Sequence, residues 1–97
     1  MERKEVETII GTKIVYTEGK CKYTLLRNSE TGTTESLGLF HSDAPLLAPQ
    51  IIPDPHFKGF VWDFSKVMVL DDSDLDILTK NIEELRNFVK KIKYIRE

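Results

Sequence analysis

The C-terminal quarter of the chain reads SDLDILTKNIEELRNFVKKIKYI, residues 73–95. Leu75, Leu78, Ile82, Leu85, Val89 and Ile92 recur there at spacings of three, four, three, four and three, and Ile77, Phe88 and Ile95 widen the stripe. Positions three and four apart share one face of an α-helix, so the pattern predicts a helix over about residues 74–95. Ser73 suits the N-cap. Asp74 and Asp76 put negative charge in the first turn, while Lys90, Lys91, Lys93 and Arg96 crowd the last, matching the helix dipole at both ends. No Gly or Pro interrupts the stretch. At about 1.5 Å per residue such a helix is roughly 33 Å long, more than the roughly 20 Å width of a four-stranded sheet. Its far end, at Val89, Ile92 and Ile95, is therefore expected to overhang and to need a cover.

Upstream of the helix the apolar period changes from 3.6 to 2. VETIIGTKIVYT (residues 6–17) is rich in Val, Ile, Thr and Tyr and predicts a strand, with Gly11 as a candidate bulge. Glu18-Gly19 supplies a turn before KCKYTLLRN, where Cys21, Tyr23 and Leu25 share a face. NSETG (residues 28–32) is a second turn by composition, and TTESLGLF follows with Leu37 and Leu39 on one side. FKGFVWDFSKVMVL (residues 57–70) is the most apolar stretch, and its alternating Phe60, Trp62 and Phe64 are expected at the centre of the core, under the helix. Strands within residues 6–70 followed by one helix predict an α+β fold. The architecture expected is an antiparallel meander of about four strands with one long C-terminal helix packed on one face. Ninety-seven residues make one domain, 1–97.

Between the third and fourth strands lies FHSDAPLLAPQIIPDPHF (residues 40–57), with both histidines and all four prolines of the chain. Proline removes a backbone donor and extends the residue before it, so the segment 41–57 reads as an ordered crossing rather than a central strand. Its Leu46, Leu47, Ile51 and Ile52 are too apolar to wave in water. They are expected to cover the domain's own sheet or to meet a partner. His41 with Asp43, and Asp54 with His56, each show an i, i+2 spacing that points both side chains the same way in an extended chain. If the segment folded back, the four would offer imidazole and carboxylate ligands to a divalent metal, or an acid–base pair. The spacing matches no particular metal motif, and a solvated loop accounts for it as well. Cys21 lies between Lys20 and Lys22, but neighbours on a strand face opposite ways, so it reads as a small buried residue rather than an activated thiol.

Lys58-Gly59-Phe60 resembles the first three positions of the KGFGF-type motif of cold-shock domains, with Val61 in place of the second glycine. The resemblance implies bases stacking on Phe60 and Trp62. With Lys58, Lys80, Arg86, Lys90, Lys91 and Lys93, and with Lys20, Lys22 and Arg27 in support, those aromatics make up the nucleic-acid alternative. Against it stand a net charge of −2 and the acidic run Asp71-Asp72-Ser73-Asp74 just downstream. A single cysteine excludes an internal disulfide and fits a reducing compartment, and no apolar run approaches the roughly 20 residues a bilayer demands. The chain reads as cytoplasmic, with no membrane partner and no cofactor. No catalytic signature accompanies the histidines. The leading expectation is a small non-enzymatic protein-interaction or regulatory module, homodimeric through its C-terminal helix. The expected contacts are Leu46, Leu47, Ile51, Ile52, Val89, Ile92 and Ile95.

Overall fold

Two-residue alternation along the first two-thirds of the chain resolves into a six-stranded antiparallel sheet whose spatial order follows the chain order. The strands are β1 (Glu2–Glu7), β2 (Gly11–Glu18), β3 (Cys21–Asn28), β4 (Thr34–His41), β5 (Gln50–Pro53) and β6 (Phe60–Asp63), and the helix α1 spans Asp72–Ile95. This computed structural model describes residues 1–54, 56 and 60–95, and for residues 93–95 the helical backbone alone. The α+β class and the terminal helix agree with the sequence pattern, but there are six strands rather than about four.

The extra strands come from two places. Residues 6–17 are not one strand: Val6 and Glu7 end a first strand, β1, that is almost entirely charged, and a hairpin turn leads from it into β2 at Gly11. At that turn the Thr8 amide and hydroxyl both donate to the Gly11 carbonyl at 2.7 Å. Gly11 is needed there because a Cβ would stand 2.0 Å from the Arg27 carbonyl oxygen, so no side chain fits between β2 and β3. The second addition is β5, which lies inside the proline segment and between two other strands, against the expectation that proline bars such a place. The β4–β5 ladder covers only Leu37↔Ile51 and Gly38↔Gln50. Pro53 falls beyond it, so its missing N–H costs nothing on that side. The aromatic stretch contributes one short strand, β6, and an irregular run to the helix.

Cross-strand partners share a face of the sheet. One row therefore crosses all six strands on the helix side: Glu5, Ile14, Leu25, Leu37, Ile51 and Trp62. Ile14, Leu25 and Leu37 are buried, Ile51 is half-buried, and the two ends are exposed. The helix thus covers the middle of the sheet and leaves both margins open. Leu85, Phe88 and Ile92 meet Ile14, Tyr23, Leu25, Leu37 and Leu39 in one cluster. Phe88 stacks on Tyr23 with ring centres 4.1 Å apart and meets the edge of Tyr16 at 5.2 Å. Toward its start α1 touches the crossing between β4 and β5, where buried Asn81 donates its side-chain amide to the Leu47 carbonyl at 2.9 Å. The helix therefore advances from the β4–β5 side toward β2.

The helix begins two residues earlier than its apolar period implies. Asp71, not Ser73, is the cap: its carboxylate accepts the Asp74 amide at 3.1 Å and the Ser73 hydroxyl at 2.6 Å. The Asp74 carboxylate accepts the amide of Leu70, the residue before the cap, at 2.8 Å. Among the described residues no helix is long and apolar enough to cross a membrane.

Candidate interaction surface

Exposed apolar side chains gather in β6, in the run from it to α1, and in the first turns of α1. Phe60, Val61, Trp62, Phe64, Met68, Val69, Leu70, Leu75 and Ile77 are all exposed, nine of the fifteen exposed large hydrophobics among the described residues. Phe60 is 55% and Leu75 50% accessible. Trp62 and Phe64 stack nearly parallel, their ring centres 5.9 Å apart, on the side of the sheet that carries the helix. The run from β6 to α1 is held in place rather than loose. The Asp63 carboxylate accepts the Ser65 amide at 3.0 Å, which keeps this carboxyl below its ordinary acidity range, and the Val67 amide donates to the Phe64 carbonyl. The Met68 amide donates to the Leu46 carbonyl at 2.9 Å, tying this run to the proline crossing and setting two exposed apolar residues side by side.

Phe60, Trp62 and Phe64 are therefore not the centre of the core, as their alternation implied. The core lies over β2, β3 and β4, and β6 stands two strands away from it. The overhang of the helix is likewise at the other end. Ile92 is only 7% exposed and Val89 packs against the core, whereas Leu75 and Ile77 in the first turns stand clear. The reason is the direction of α1, whose later turns sit on the central strands.

The interface residues expected from the sequence divide. Leu47 and Ile92 are buried in the chain's own core, and Ile51 and Val89 pack against it. Ile52 is half-buried and Leu46 is exposed, while the Ile95 side chain lies outside the described residues. The proline crossing is thus an ordered cover for its own sheet through Leu47 and Pro49, with Leu46 turned outward.

The two histidine–aspartate pairs close on themselves instead of on each other. The Asp43 amide donates to His41 Nδ1 at 3.1 Å, and the His56 amide donates to Asp54 at 2.8 Å. Asp43 also takes the Lys20 ammonium at 2.7 Å, an exposed pair that lowers its pKa. Among the described residues, no group of three or more His, Cys, Asp or Glu is gathered that could hold a metal ion.

The cations of the nucleic-acid alternative are scattered. Lys80, Arg86, Lys90 and Lys91 are exposed along α1, with Asp76 and Glu83 among them, while Lys58 and the Lys93 side chain lie outside the described residues. A tighter group forms on the sheet face away from the helix, where Lys4, Lys13 and Lys22 surround Val15 beside a shallow hollow of about 300 Å³. Glu2 shares that hollow. Arg27 is half-buried, and its Nε is buried with no hydrogen-bond partner. Cys21 sits partly buried against the core, where burial first and Glu84 second push its thiol pKa up, away from reactivity.

No period singles out Asn81, or the exposed Met68, Val69 and Leu70, as residues that matter for a surface or a contact. The signal available was contrast. Apolar residues flank the acidic cap on both sides, and β6 lacks the charges that fill β1. Neither a protein-family model, nor a curated protein, nor a solved structure matches the chain.

Proposed function

We propose that the chain is a small non-enzymatic protein-interaction module that works as a homodimer, with its contact surface along residues 60–77 rather than at the C-terminal end of the helix. The observation that carries this reading is the concentration of exposed apolar side chains there, nine within eighteen residues. Monomeric proteins rarely expose contiguous apolar patches beyond a few hundred Å², and larger ones mark sites of association. Backbone hydrogen bonds and an aromatic stack hold this segment in shape, so little ordering entropy opposes docking. Isologous pairing of one patch with its own copy is the commonest way such a face is covered.

Sedimentation velocity at micromolar concentration tests the reading, with a dimer as the expected species. Leu75→Asp combined with Ile77→Asp should weaken association by more than about tenfold, since each buried aliphatic side chain is worth roughly 1.5–3 kcal/mol. Both residues are exposed in the chain itself, so circular dichroism should be unchanged. A chain that stays monomeric throughout the concentration range overturns the reading.

A further inference from the structure

Resting on that reading, we infer that the partner is a second copy of this chain joined edge to edge through β6, so that the two sheets run on as one twelve-stranded antiparallel sheet. The two edges of the sheet differ in kind. β1 reads ERKEVE and β6 reads FVWD, and among the described residues neither has a neighbour on its outer side. Every second residue of an edge strand turns its amide and carbonyl outward, and these groups are best satisfied by another strand. Water satisfies them readily on a charged strand. On β6 the outward groups lie between exposed Phe60, Val61 and Trp62, where a second strand removes apolar surface and completes the ladder together.

Symmetry selects the partner and the register. A twofold axis perpendicular to the sheet pairs a strand antiparallel with its own copy and leaves both helices on the same face. Because side chains alternate, a residue must then lie on the axis and face itself. With Val61 on the axis, Phe60 stands opposite the partner's Trp62 and Trp62 opposite the partner's Phe60. All four rings then lie on the helix-bearing face, where the row is buried at Ile14, Leu25 and Leu37 but open at its Trp62 end. No charge meets its like, because the strand's one acid, Asp63, falls outside the aromatic set. Moving the axis to Trp62 sets two indoles against each other and Phe60 against the partner's Phe64, past the end of the strand. The same operation on β1 puts Lys4 or Glu5 against itself. Pairing β1 with β6 of another copy would not close, and it mates a charged strand with an apolar one.

Trp62 is the only tryptophan, so its emission reports on this edge directly. In the wild-type chain, dilution through the dissociation range should shift that emission to the red as the indole is re-exposed, in step with the sedimentation coefficient. In a Cys21→Ser background, Val61→Cys should form a disulfide-linked dimer on mild oxidation, at least tenfold faster than Ile77→Cys, because only a residue on the axis meets itself at disulfide distance. Circular dichroism confirms that each variant is folded. A dimer that dissociates without any change in Trp62 emission, and that cross-links no faster through Val61→Cys than through Ile77→Cys, overturns the edge pairing while leaving the apolar surface as an interface. A chain monomeric at every concentration overturns both.

Discussion

The Tyr23 ring lies flat against Phe88, and its hydroxyl is carried into the region of Cys21, Glu18 and Glu84. Burial first, and these acidic neighbours after it, push the phenol well above its ordinary value of about 10. The folded chain therefore holds this proton more tightly than the unfolded chain does. Its contribution to stability is fully present below pH 10 and is lost as the pH rises above that value toward the folded pKa. In an alkaline titration followed by phenolate absorbance, the Tyr23 phenolate should form only as the protein unfolds. Tyr23→Phe should flatten the fall in stability above pH 10. A Tyr23 that ionises at its ordinary value of about 10 in the folded protein would contradict this burial. Position within a strand was enough to place Tyr23 and Cys21 facing inward. The acids that surround them come from the β2 end and from α1, and no local pattern announces them.

Among the elements, α1 was the most legible because a 3.6-residue period needs only its own stretch of chain to be seen. The period does not locate its cap, since Asp71 and Ser73 are both good caps and only the hydrogen bonds distinguish them. β1 was illegible for the opposite reason: a strand of charged residues has no apolar alternation and exists because β2 offers it a ladder. β5 was hidden by proline, whose cost depends on where the neighbouring ladder ends. Asn81 links α1 to the crossing, although it interrupts the apolar stripe. It is 2% exposed and its amide is the hydrogen-bond partner of the Leu47 carbonyl. Asn81→Ala should lower stability in urea unfolding by roughly 1–3 kcal/mol, because it strands a buried carbonyl. Asn81→Asp should cost more at neutral pH, since a carboxylate would face that carbonyl without a proton to donate. A change within a few tenths of a kcal/mol for Asn81→Ala would mean that the crossing is held by apolar contact alone.

At the scale of the molecule, the helix buries residues of β2, β3 and β4 and leaves the outer strands open, so one face holds both a core and an uncovered margin. Ile92 and Ile77 lie on opposite sides of that boundary though both belong to the same apolar stripe. Ile92→Asp should destabilise the fold by more than about 3 kcal/mol, because an unpaired charge enters the core. Ile77→Asp should leave the monomer within about 0.5 kcal/mol. Urea unfolding at concentrations low enough to keep the chain monomeric measures both, and equal losses would refute the boundary drawn here. Residue types and their periods determined the fold class, the helix and its polarity, and the inward faces of β3 and β4. Each of these depends on neighbours close along the chain. Which apolar residues end in the core and which on the open margin was decided only by the tertiary structure. That outcome depends on where α1 lies across six strands, a distance set by packing and not by any local period.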